Sequence, residues 1–436
     1  MQCQNFNEDW TFEKANQADR LKAFYGNSNA VAVTLPHDAM IREKRDKDCP
    51  SGAQSGFYPG GVYTYEKKFM AQNEWKTQDV FLEFEGIYGI ARVWINGALA
   101  AVNRNGYMGF SVDLKPWISY ENENIIRIDV DNSKQPNSRW YSGSGIYRDV
   151  NLWTGKDVYI SHDKLRITTL SVNDDMAVIE VCAQLKNIIG HGLEAECLIE
   201  IKKDGQKTAS DTQRVVFRSE QMQTVRVQIP IEHPEKWSPK QPALYECHIT
   251  TKFDDKICDE AVSNFGIRVL ELDPVHGLQI NGETVKLRGT CIHHDNGVIG
   301  AETFKEAEWY RCKRLKEAGF NAIRSAHHPM SIAMLDACDH IGMLVMDELT
   351  DMWDKEKNTY DFSDIFEDEY NQWINHMVEK DYNHPSVIIY SVGNEIQEAG
   401  TKQGAWINRM LCNKFHELDN TRYTCLLYTS DAADEL

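Results

Sequence analysis

Four short stretches of the chain end in side chains that can move protons or grip polar ligands. They are His293-His294-Asp295, Arg324 through His328, Asp347-Glu348 and Asn394-Glu395. Each follows an apolar run, as in SVIIYSVGNE at 386–395. An ionisable group at the end of a buried run is costly unless it is paired or used. A single acid of this kind could simply pair with a cation such as Arg324; four convergent polar tips point to a site instead. The set offers carboxyls, imidazoles and an amide, with no Ser or Cys in a recognisable nucleophile elbow. Two carboxyls suit glycoside hydrolysis, in which one protonates the leaving oxygen and the other acts across the anomeric carbon. The paired histidines raise metal binding as an alternative. Neighbours on a strand face opposite sides, however, so neither His293/His294 nor His327/His328 can present both rings to one ion.

The elements around these tips alternate. After about residue 270, LRGTCIHH, NAIRSAHHP, MLVMDEL and SVIIYSVGNE read as strands, and helical stretches ending near Gly319 and Gly342 separate them. Repeated strand-then-helix units with short links imply a parallel sheet. No glycine-rich dinucleotide fingerprint or P-loop follows any strand. A (β/α)₈ barrel, whose site gathers at the carboxyl ends of its strands, is therefore preferred to a doubly wound sheet. Upstream, VFLEFEGIYGIARVWINGALA alternates and turns at Asn96-Gly97, predicting an antiparallel sandwich. A second set of short strands suits an immunoglobulin-like sandwich. The expected fold class is multidomain β plus α/β: a jelly-roll-like sandwich over 1–156, an immunoglobulin-like sandwich over 157–270, and the first half of a TIM barrel over 271–424.

Composition narrows the function. A net charge of −19 argues against a nucleic-acid partner. No apolar run approaches a membrane span, and MQCQNFNEDWTFEK lacks the pattern of an export signal. The 11 cysteines include no C-x-x-C pair, and Cys182, Cys291, Cys312 and Cys338 read as reduced core residues. A cytoplasmic setting is expected.

Several motifs together resemble glycoside hydrolase family 2, which includes β-galactosidases, β-glucuronidases and β-mannosidases. They are VTLPHD (33–38), GGVYTYEKKF (60–69), RWYSGSGIYRDV (139–150), FGIRVLELD (265–273), LRGTCIHHDNGVIGA (287–301), AIRSAHHP (322–329), MLVMDE (343–348) and NHPSVIIYSVGNE (383–395). The resemblance implies a sugar-binding sandwich, an immunoglobulin-like domain and a catalytic barrel. It makes Glu395 the general acid/base, a role that needs a raised pKa. Asn394 becomes the partner of the sugar 2-hydroxyl, and His293 and His327 contacts to other hydroxyls. Asp347 and Glu348 are expected to touch substrate or support those that do. The implied partner is a small β-glycoside or oligosaccharide, most of all a galactoside, with a homo-oligomeric parent. Magnesium or sodium enters by resemblance alone, without a complete ligand set.

Two departures qualify these expectations. Arg139 stands where several galactosidases and glucuronidases have an Asp, so it either reaches a hydroxyl or carboxylate of the substrate or pairs with a surface acid. The family's nucleophile is a Glu on a later barrel strand, beyond residue 395. The stretch CLLYTSDAADEL at 425–436 does not continue the family pattern and reads as a non-native tail. Asp431, Asp434 and Glu435 are not substitutes, and the chain alone is expected to be inactive. The alternatives are a β-glucuronidase or a non-catalytic carbohydrate-binding protein.

Overall fold

A computed structural model gives the structure of residues 1–14, 30–218 and 220–427. Alternating apolar residues place the amino-terminal part in two antiparallel sheets that share one core. The smaller has strands in the order Gln2–Asn5, Val150–Gly155, Asp79–Phe84 and Phe110–Asp113. The larger runs Val31–Val33, Trp10–Lys14, Val62–Met70, Glu123–Asp131, Ile90–Ile95 and Ala98–Asn103. Asn96 and Gly97, both at positive φ, make the two-residue hairpin turn expected of that dipeptide. Trp10, Tyr65, Phe84 and Ile128 are fully or almost fully buried in the shared core.

A second sandwich follows. Val158–Val172, Met176–Asn187 and Met222–Glu232 form one sheet; Gln206–Phe217, Leu193–Lys203, Tyr245–Phe253 and Lys256–Phe265 form the other. Alternate residues such as Ile179, Val181, Cys197 and Ile199 point into its core.

The final part is a parallel sheet of β1 (Gly289–Ile292), β2 (Ala322–Ser325), β3 (Leu344–Glu348), β4 (Val387–Asn394) and β5 (Tyr423–Leu427), paired in chain order. Between them run α1 (Lys305–Glu317), α2 (Ile332–Ile341), α3 (Ser363–Asp381) and α4 (Lys402–Leu418). The Ser331 hydroxyl accepts the Met334 N–H at 3.2 Å and starts α2. Gly342, at φ 76°, ends it where a Cβ would lie 2.6 Å from the Pro239 carbonyl oxygen. Because the strands are parallel, their polar tips collect at one edge of the sheet. The fifth strand takes in Cys425–Leu427, which the sequence reading assigned to a non-native tail; residues 428–436 of that tail lie outside the described residues.

The sandwiches are fastened to this sheet. Arg104 of the first pairs with Glu369 of α3 at 2.6 Å, and Arg148 donates to the Pro329 carbonyl at 3.2 Å. From the second, Arg268 donates to the carbonyls of Pro385 and Val387 at the start of β4. Cys312 and Cys338 are buried, whereas Cys291 is exposed, contrary to its reading as a core residue. It lies on β1, an edge strand of the described sheet, where no neighbouring strand covers it.

Candidate active site

β4 delivers Asn394 as its last residue, 4 % exposed, and Glu395 directly after it. Glu395 has φ 42°, an uncommon conformation for a residue with a side chain. Asn394 and Ile396 are both buried on either side of it, so the strain is held from both flanks. The Glu395 side chain stays about one-third exposed (34 %).

Asn394 is fixed at both ends of its amide. Its Oδ1 accepts from Arg324 Nη2 at 2.7 Å, and its Nδ2 donates to Asp351 Oδ1 at 2.9 Å. One N–H and one lone pair of that amide are left for a ligand. Its backbone carbonyl accepts from Lys357 Nζ at 2.6 Å. Asp351 also receives a bidentate pair from Arg139, at 2.8 and 2.7 Å, and the Lys357 ammonium at 2.9 Å. Burial alone would raise the Asp351 carboxyl, but Arg139 and Lys357 outweigh it and hold the group well below the usual carboxylate range. Arg139 Nη1 then lies 3.7 Å from Glu395 Oε2. Arg139 therefore enters the site; its acid is the buried Asp351, not a surface one.

A second group stands beside the first. Glu348, fully buried, binds Arg324 at 2.9 Å, His327 Nδ1 at 2.6 Å and the Ser391 hydroxyl at 2.6 Å. Arg324 thus joins Glu348 to Asn394. His293 stacks on Trp140 with ring centroids 4.8 Å apart, and His327 meets the same indole edge-on. Burial lowers His293 to about 4, helped by His327, and its Nδ1 is buried without a hydrogen-bond partner. It is thus a neutral ring with a free nitrogen. The neighbouring histidines point the other way: His294 Nε2 donates to the Ser142 carbonyl at 2.8 Å, and His328 stacks on Tyr107.

Asp347 is the exception. It is fully buried, accepts the Met330 N–H at 2.8 Å and pairs with Lys380 of α3 at 3.1 Å. The sequence reading expected it to touch substrate or support the residues that do; its partners in the structure are Met330 and Lys380. Successive strand residues face opposite sides, so with Glu348 inward Asp347 faces the helical layer.

Comparison with known proteins decides the family. Residues 10–155 match the galactose-binding domain-like part of glycosyl hydrolase 2, residues 158–268 match glycosyl hydrolases family 2, and residues 274–436 match its TIM barrel domain. The chain belongs to glycoside hydrolase family 2. A family 2 member of Bacteroides cellulosilyticus has the same fold, with TM-score 0.94 and 33 % identity over all of this chain and 57 % of that one. Beta-galactosidase BoGH2A of Bacteroides ovatus is 33 % identical over 405 residues, covering 90 % of this chain and 46 % of that protein. A beta-glucuronidase of Bacteroides fragilis is 27 % identical over 418 residues, covering 93 % of this chain and 58 % of that protein. The chain spans about half the length of these relatives.

Within this family 2 site, the sequence reading missed Asp351, Lys357 and Trp140. Asp351 follows the β3 tip by three residues, so its acid was visible, but its partner Arg139 lies 212 residues away. Trp140 adjoined a residue already singled out. Asp351 and Glu348 are both taken by side-chain cations, so this cluster presents no free carboxylate pair to magnesium or sodium. Two other groups, Glu83/His162/Asp163 and Asp336/Asp339/His384, bring ligand-type atoms within 4.8 Å of one another, away from Glu395. In each the histidine is already hydrogen-bonded to a carboxylate. Among the described residues, no helix is long and apolar enough to cross a membrane.

Proposed function

We propose that the protein to which this chain belongs releases terminal β-linked sugars from small glycosides with retention, and that the sugar is galactose. The observation that carries the reading is the pair Asn394-Glu395: the amide locked by Arg324 and Asp351, the acid partly exposed beside it. In the first step Glu395 gives its proton to the glycosidic oxygen as the C1–O bond breaks and a carboxylate bonds C1. In the second, Glu395 as carboxylate takes a proton from water as that water attacks C1 and frees the carboxylate. The 2-hydroxyl would meet the remaining polar positions of Asn394, and other hydroxyls the free nitrogen of His293.

The nucleophile must lie across the anomeric carbon from Glu395, about 5–5.5 Å away, and must be unpaired. Asp351 and Glu348 are each bound by cations and are 1 % and 0 % exposed, so neither can attack. We assign the nucleophile outside the described residues and expect no turnover from the 436-residue chain alone. All eleven cysteines are free thiols, which suits a cytoplasmic enzyme.

A β-glucuronidase is the second reading. What favours it is Arg139, whose Nη1 faces Glu395 and suits a sugar carboxylate. The test is a panel of aryl β-glycosides with the protein whose barrel is complete, following product anomers by NMR. Galactoside cleavage with the β-anomer formed first supports the proposal. Glucuronide preference favours the second reading. No cleavage of any β-glycoside overturns both and leaves a carbohydrate-binding protein.

A further inference from the structure

Lys357 enters from the loop between β3 and α3 and ends on the peptide that leads into Glu395. Its Nζ donates to the Asn394 carbonyl at 2.6 Å and to Asp351 Oδ1 at 2.9 Å, and its side chain is 8 % exposed. That carbonyl belongs to the planar Asn394–Glu395 peptide, so fixing its direction also fixes the N–H with which Glu395 begins. Glu395 then turns at φ 42°. Backbone in so sparsely populated a region persists only where its neighbours over-determine it. Arg324 and Asp351 hold the Asn394 side chain, and Arg139 faces the Glu395 carboxyl. Lys357, alone among these, holds the peptide between them.

The loop is built to deliver that ammonium. Trp353, fully buried, donates its indole N–H to the Val392 carbonyl of β4 at 2.9 Å, and the Lys355 N–H donates to Glu398 Oε1 at 2.8 Å. The loop is thus fastened to β4 before Glu395 and to the chain after it. Asp361 accepts the backbone N–H groups of Lys357 and Asn358 at 2.6 and 2.8 Å. A lysine brought in only to neutralise Asp351 would duplicate Arg139, which already binds that carboxylate through two donors. Burial lowers the Lys357 ammonium from its ordinary value, and Arg139 adds to the effect while Asp351 and Glu395 oppose it. The charge is kept on this carbonyl against its own solvation.

We propose that Lys357 is a positioning residue for the proton-transfer step: its ammonium locks the Asn394–Glu395 peptide so that the Glu395 carboxyl meets the departing glycosidic oxygen. The inference rests on the glycosidase reading. Lys357 keeps its own protons throughout; the proton that moves is that of Glu395.

The test uses the protein whose barrel is complete, with Lys357→Met and the milder Lys357→Gln, on phenyl and 2,4-dinitrophenyl glycosides of the sugar the parent cleaves. Phenol needs the proton to depart, and 2,4-dinitrophenol does not. Both variants are expected to lower kcat/KM for the phenyl glycoside by about 10–100-fold, and for the dinitrophenyl glycoside by about threefold or less. The retained dinitrophenyl activity shows that the site is folded, and Lys357→Gln supplies the same comparison where Lys357→Met does not fold. Equal losses on the two substrates overturn the proposal, because a sugar contact or a general support of the fold serves both alike. No loss on either overturns it as well. A parent that cleaves no β-glycoside overturns the glycosidase reading and the inference with it.

Discussion

Asp351 holds the site together more than any residue that touches the chemistry. Three donors meet on its carboxylate, and it is 1 % exposed, so replacing it with Asn removes the buried counter-charge that Arg139 and Lys357 share. Breaking a buried pair of this kind costs about 3 kcal/mol. Because the fold depresses the Asp351 pKa, its contribution is present above the unfolded carboxyl value of about 3.9 and is lost as pH falls through the folded one. Urea denaturation should therefore show Asp351→Asn destabilised at pH 7, with the gap to the parent chain narrowing below pH 4. A gap that stays constant with pH would contradict the network. His293 behaves oppositely. Its folded value near 4 lies below the ordinary 6.5, so the unfolded chain takes up a proton first and stability falls between those values. Its imidazole shifts in an NMR titration should stay flat down to about pH 5; an inflection near 6.5 would contradict the buried, neutral ring.

At the scale of elements, sharp endings set the strand tips. Gly342 turns the chain from α2 into β3 at a φ that favours glycine, with the Pro239 carbonyl packed against it. Gly342→Ala should cost more than about 1 kcal/mol, read as a lower denaturation midpoint at unchanged slope; an unchanged midpoint would mean the turn tolerates a side chain. Such endings were legible in the sequence because they are local: apolar run, polar tip, helix, glycine. The four strand tips were found in that way. Face was legible too, and the two-residue period that separated His293 from His294 also separates Asp347 from Glu348 when it is applied to β3. What could not be read was the meeting of distant segments. Nothing local to Arg139 announces Asp351, and nothing in YSVGNE indicates that Asn394 is bound on one side by β2 and on the other by the loop after β3.

Across the whole molecule, the three parts act as one support for a single edge of the parallel sheet. The first sandwich supplies Arg139 and Trp140 to the site, the second grips the base of β4 through Arg268, and the barrel supplies the acid. This division explains why an acid can be held at strained backbone on a strand tip: each neighbour is fixed by another part of the fold. On the proposed function, the described residues bind the sugar and position the proton, and the covalent step needs a second carboxylate.

The most direct measurement compares Glu395→Gln with the parent in the protein whose barrel is complete, using two aryl glycosides of the same sugar. One has a poor leaving group that needs a proton, such as phenol; the other has 2,4-dinitrophenol, which departs as an anion. With Glu395 as the general acid, kcat/KM for the phenyl glycoside falls by about 10²–10⁴, and the dinitrophenyl glycoside loses far less in its glycosylation step. Equal losses on both substrates, or none on either, would contradict the assignment of Glu395.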